Sequence, residues 1–182
     1  IALRMFAGFD LPDDLLTQPD WIDRAYAGGV PMGGELSVKD GPFKVAVWAM
    51  KSPHSGNLDR IQVIKLWTDG IVDHEAIYDV ALSDGRVPDP ETGEVPPVGN
   101  TVDTATATYT NDIGAAELKA VWTDPDYSAD HEAVYYVRVL EIPTPRWSTF
   151  DAVQLGVAPP DTVPATLQER AWSSPVWLTT GD

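Results

Sequence analysis

Apolar and polar positions alternate with a period of two along most of the chain after Phe43, and with a helical period only near its start. Lys44–Met50 (KVAVWAM) and Ile61–Trp67 (IQVIKLW) are rich in β-branched and aromatic residues and predict strands. Thr104–Thr110 (TATATYT) alternates strictly, which predicts a strand with Ala105, Ala107 and Tyr109 inward and its threonines outward. Ala116–Trp122 alternates too, with Leu118, Ala120 and Trp122 on the inner face. Val134–Ile142 and Ser174–Thr179 complete about seven strands, separated by turn signals such as DG, GN and DP. The expected fold is mainly β: an antiparallel β-sandwich with a short helical N-terminal segment and long irregular loops. Tyr109, Leu118, Trp122 and Val137 are its expected core.

The first forty residues read differently. Ile1–Phe9 suits a short strand, and Gln18–Ala27 a short helix. Pro19 fits the first turn of that helix, because the N–H it lacks is unpaired there anyway. Asp20 and Asp23 complement the helix dipole. Trp21, Ile22, Ala25 and Tyr26 form one apolar stripe, and Gly28–Gly29 end it. This divides the chain into residues 1–40, expected as the tail of an upstream domain, and a sandwich domain over 41–182. Two blocks echo each other: KLWTDG with DHEAIYDVAL, and AVWTDP with DHEAVYYVRV. Each predicts a hairpin around a Trp-Thr-Asp turn. Asp84–Asn100 is acidic and rich in Pro and Gly, so an exposed connection. Pro143–Gln168 is longer than most structureless loops and carries a functional expectation.

Composition narrows the function. The 182 residues are 43% hydrophobic, with seven Trp and six Tyr, enough for a substantial core. A formal charge of −16 disfavours nucleic acid and anionic membrane surfaces as partners. The absence of Cys removes disulfides, thiolate catalysis and Cys-ligated metal. No apolar run approaches the ~20 residues of a membrane span. The opening on Ile1, without a leader, suggests a C-terminal fragment of a larger protein.

Chemistry-bearing patterns are sparse. His74 and His131 each sit in Asp-His-Glu, which reads either as half of a transition-metal site or as a polar turn entering a strand; no His-x-His pairing supports the first. Asp124, Asp126 and Asp130 form an oxygen-rich loop that reads as a calcium site or as an acidic turn, without the central Gly and terminal Glu of an EF-hand. Gly28–Gly34 lacks the Gly-Lys-Ser/Thr ending of a phosphate loop. His54, in SPHSGN, is expected in solvent. No Gly-x-Ser-x-Gly elbow exists. No catalytic residue, cofactor or metal ligand is assigned to this chain. Arg146 and Trp147, behind Pro143 and Pro145, are the candidate contacts to a substrate or neighbouring domain, together with Gly33 and Gly34.

The blocks GGVPMGGEL, SGNLDRIQVIKLW, VGNTVDTATATYTNDIGAAELKAVWTDPD, YYVRVLEIPTPRWSTFDAV and PATLQERAWSSPVWL run in order over nearly the whole chain. They resemble the C-terminal third of the domain-of-unknown-function family 3604. That resemblance implies a bacterial parent several times this length, often with an export signal, hence a periplasmic or extracellular setting. It also implies an N-terminal metal domain of the polymerase-and-histidinol-phosphatase (PHP) type, with His and Asp/Glu ligands for divalent metals and hydrolytic chemistry. ERAWSSPVWL is similar to the tail of such metallohydrolases. The His-x-His motifs of that domain do not occur here, so the resemblance implies a sandwich that supports or lines an active site held elsewhere. The alternative is a stand-alone module binding glycans or proteins. An exposed aromatic platform would favour the module, and a large apolar patch that only a partner could cover would favour the supporting domain. The sequence carries no signal for oligomeric state.

Overall fold

The computed structural model describes residues 1–180. In chain order its strands are β1 (Ala2–Gly8), β2 (Val30–Pro31), β3 (Glu35–Ser37), β4 (Lys44–Met50), β5 (Leu58–Thr68), β6 (Asp73–Leu82), β7 (Glu117–Thr123), β8 (Ala133–Pro145), β9 (Thr166–Trp172) and β10 (Val176–Thr179). Helix α1 spans Trp21–Gly28, α2 spans Trp147–Leu155, and a 3-10 turn covers Leu15–Thr17. The smaller sheet has the order β2-β1-β4-β7. The larger has the order β3-β10-β8-β5-β6, with β9 on the same side of β8 as β10. All pairings are antiparallel except the parallel contact of β3 with β10. The sandwich class expected from the alternation is what forms, with more strands than the pattern alone revealed.

The two sheets bury their facing rows against each other. Met5, Val45, Val47 and Leu118 come from the smaller sheet, and Ile61, Val63, Tyr135, Val137, Val139 and Leu178 from the larger. Each large apolar side chain removed from water contributes about 1.5–3 kcal/mol. Phe9, Phe43, Tyr127 and Tyr135 close one end, with Phe9 and Phe43 at 5.3 Å and Phe43 and Tyr135 at 4.6 Å between ring centroids. The outer face of the smaller sheet is also covered. Phe6 and Ala46 pack there against Leu11, Leu15 and Ala25, with Trp21 and Val121 at the margin. The helix starts two residues later than Pro19, and Arg24 pairs with its N-cap Asp20 at 2.7 Å. Gly29 lets the chain leave the helix close beside β1, since a Cβ there would collide with the Ala7 carbonyl. β1, β2 and β3 all fall within residues 1–40, so the sandwich draws strands from both sides of the boundary drawn after residue 40.

Three expectations are corrected. Thr104–Thr110 is a tight turn, not a strand. Asp103 bridges Thr108 across it, and Asp103 Oδ1 accepts the Ala105 N–H at 2.9 Å. The Thr106 hydroxyl donates to Asp103 Oδ2, and Ala107 has a φ of 51°. Local bonds from Asp and Thr side chains outcompete a sheet ladder that has no neighbour to join. Tyr109 is therefore half-buried and outside the core, its hydroxyl donating to the His54 carbonyl at 3.4 Å. Of the two echoing blocks, only the first is a hairpin, β5 with β6. In the second, β7 belongs to the smaller sheet and β8 to the larger, so its Trp-Thr-Asp segment crosses between sheets. Finally, Pro143–Gln168 is mostly regular: β8 runs on to Pro145, α2 follows, and β9 begins at Thr166. Leu118 and Val137 are buried as expected, with Trp122 partly buried against the core.

Candidate functional site

The acidic loop after β7 is used internally. Asp124 is buried, and its Oδ2 lies 2.7 Å from Lys65 Nζ and 2.6 Å from the Tyr135 hydroxyl that donates to it. Its Oδ1 accepts the Asp126 N–H at 2.9 Å. Lys65 also donates to the Asp126 carbonyl at 2.8 Å, while Asp126 Oδ2 accepts from Tyr78 and Asp130 Oδ2 from Ser128. Burial first, then the bond to Asp124, holds the Tyr135 phenol well above its ordinary pKa. The three carboxylates thus point to three different partners. Both Asp-His-Glu segments behave as strand entries. His74 stacks on Trp67 at 5.0 Å and lies 3.2 Å from Asp69. Among the described residues, no group of three or more His, Asp or Glu stands together to hold a metal ion.

Arg146 and Trp147 diverge. Arg146 precedes α2 in an extended conformation and receives the Thr149 and Phe150 N–H groups on its carbonyl, while its own N–H bonds Ala165. Its side chain is half-buried, with Nε out of contact with water and without a hydrogen bond. Trp147 is 67% exposed. Gly33 and Gly34 lie elsewhere, at the start of β10: Gly33 donates to the Pro175 carbonyl, and the Gly34 carbonyl accepts from Trp177. The turn needs glycine at 33, where φ is +87°.

What alternation along single strands did not reveal is the outer face of the larger sheet. Residues opposite each other in antiparallel strands share a face. Tyr135, Val137 and Val139 of β8 point into the core, so Val134, Tyr136 and Arg138 point out. Val134 is flanked by Trp177 and Leu66, Tyr136 by Ile64 and Ile64 in turn by Ile77, and Arg138 by Trp172 and Gln62. Trp172, Trp177 and Ile77 remain about half exposed. Neither helix packs across this face: α1 lies on the smaller sheet, and α2 follows the end of β8. A groove of about 350 Å³ runs between Leu66, Trp67, Val134 and Trp177. No helix of the described residues is long and apolar enough to cross a membrane.

The architecture is that of a two-sheet, mainly β domain whose smaller sheet is covered on its outer face, while the outer face of the larger sheet carries half-exposed Trp172, Trp177 and Ile77. The profile of the family described as "Protein of unknown function (DUF3604)" matches residues 1–180, and the chain belongs to that family. No curated protein and no solved structure matches it.

Proposed function

We propose that this sandwich is a non-catalytic supporting domain of a larger, exported bacterial protein, and that its bare face docks on a PHP-type metal-dependent hydrolase domain of the same polypeptide. The divalent metal and its ligands belong to that domain. The observation that carries the reading is the outer face of the larger sheet, where half-exposed Trp172, Trp177 and Ile77 stand with partly exposed Val134 and Leu66 around a buried Ile64. Such a patch on a strongly acidic domain is expensive to leave in water and fits an apolar partner surface. The Gly33–Gly34 turn borders this face through its bond to Trp177, and Trp147 with Arg146 extends the contact at the far end of β8. The test is the longer polypeptide carrying Trp172→Ser and Trp177→Ser. Turnover of a generic phosphodiester with added divalent metal should fall, and protease protection of this sheet should be lost, while the 182-residue chain melts unchanged. Wild-type turnover and protection in the double variant would overturn the reading.

A second reading rests on the same two indoles. Trp177 and Trp172 sit opposite Val134 and Arg138 on one side of β8, four positions apart, or ~13 Å along the strand. That is an aromatic platform suited to an oligosaccharide. Saturable quenching of this chain by an oligosaccharide, lost in the double variant, would favour it.

A further inference from the structure

A second cavity, of about 290 Å³, opens at the end of the larger sheet between the 52–57 turn, Tyr109, the end of β8 and the start of α2. At its base lies Glu141, which is only 3% exposed. Both ladders beside Glu141 slip at this point. On one side β5 advances from Leu58 to Arg60 while β8 advances from Glu141 to Leu140. On the other, β8 advances from Leu140 to Pro143 while β9 advances from Arg170 to Gln168. Bulges of this kind re-aim a side chain out of the regular pleat. The carboxylate lies beside Gly56, where a Cβ would sit 3.6 Å from Glu141 Oε2.

Among the described residues, neither carboxylate oxygen of Glu141 receives a hydrogen bond or faces a cation at pairing distance. His54 lines the same cavity without bonding Glu141, Arg146 Nε at the end of β8 has no partner among the described residues, and other donors of the surrounding elements are engaged elsewhere. Gln168 gives its amide to Asp59 and to the Glu141 backbone carbonyl. Arg60 and Arg86 pair with Asp59, Lys51 bonds the Ser52 and Ser55 carbonyls, and Arg170 lies over Trp172. The side chain is nearly enclosed, yet its unpartnered carboxylate oxygens are not fully enclosed and reach the cavity, so whatever occupies the cavity supplies their donors.

We propose that this cavity binds an organic cation, an alkylammonium or guanidinium group whose N–H bonds satisfy Glu141. The walls fit such an ion: Trp147, Phe150 and Tyr109 offer ring surface for its carbon atoms and for cation–π attraction, and Glu169 adds negative charge at the rim. His54, Glu141 and Glu169 all line the cavity, but among the described residues no three His, Asp or Glu side chains stand together to hold a metal ion. The inference stands apart from the docking reading, since the ion binds the 182-residue chain alone.

Titration of this chain with n-butylammonium and methylguanidinium, at constant ionic strength, tests it through tryptophan fluorescence. Saturable binding in the millimolar range is expected, weakened about tenfold or more by Glu141→Gln. Trp147→Ala, at an exposed position, should weaken binding several-fold and remains informative if Glu141→Gln folds poorly. A lysine-containing peptide that binds more tightly than butylammonium would assign the site to a protein side chain, and equal affinity would assign it to a free amine. Either result meets the proposal. Absence of saturation by both cations would overturn it, as would undiminished binding in Glu141→Gln or Trp147→Ala, or stoichiometric displacement of the organic ions by calcium or manganese.

Discussion

Replacing Lys65 by Met should destabilise this protein by about 3 kcal/mol, and replacing its partner as well should recover most of the loss. Lys65 and Asp124 are paired at 2.7 Å, with side chains 4% and 0% exposed. At that separation the attraction is about 6 kcal/mol for an effective dielectric of about 20, set against the cost of desolvating both ions. Removing the ammonium leaves that desolvation cost uncompensated. The usual penalty for breaking a buried pair is about 3–5 kcal/mol. The lower end applies here because Asp124 keeps two donors, the Tyr135 hydroxyl and the Asp126 N–H. Methionine fills the space of the lysine stem, and its sulfur suits the Trp67 and Tyr135 rings on which the ammonium rests at 4.9 and 5.7 Å. Adding Asp124→Asn removes the stranded charge while keeping an acceptor for Tyr135. Urea unfolding of the four members of this cycle, followed by tryptophan fluorescence, gives the coupling energy. A loss below about 1 kcal/mol for Lys65→Met, or additivity of the two changes, would refute the reasoning.

Two further outcomes are expected. Asp69 accepts the Val72 and Ile71 N–H groups at 2.8 and 2.9 Å and faces His74, and these contacts depress its pKa from 3.8 to about 2. Because the folded value is the lower one, the stabilisation of the β5–β6 turn is present above pH 3.8 and fades as pH falls toward about 2. A carboxyl NMR titration should show that low midpoint, and a midpoint at the ordinary value would contradict the turn geometry. Gly114 has a φ of +78°, and a Cβ there would lie 2.7 Å from Ile142 and 2.8 Å from Asn57. Gly114→Ala should therefore cost about 2 kcal/mol in urea unfolding, and a loss under about 0.5 kcal/mol would show that the site relaxes freely.

Much of this fold was legible along the chain because burial writes itself as alternation. β4 coincides with Lys44–Met50, and β7 starts one residue from the expected strand with Leu118 inward, because a strand with one buried face must repeat every two residues. Thr104–Thr110 shows the limit. Its alternation was as strict as any, yet no strand lies beside it, and Asp103 and the threonines closed it into a turn. The echoing Trp-Thr-Asp blocks show the same limit, since the same tripeptide leads from one strand to another within a sheet in one case and across the sandwich in the other. Of the candidate contacts, Trp147 is exposed and Arg146 half-buried, a difference set by α2, which the prolines before it concealed. The sequence by itself determined the β class, the phase of most core strands and the absence of cysteine chemistry, because periodicity and residue type are local properties. Tertiary structure alone decided that Trp172, Trp177 and Ile77 stand half exposed on the outer row of the larger sheet, and that Glu141 lies nearly buried at a cavity with no bond from a protein donor among the described residues. Both depend on which strands become neighbours and where their registers slip, and those are long-range pairings that a linear pattern does not encode.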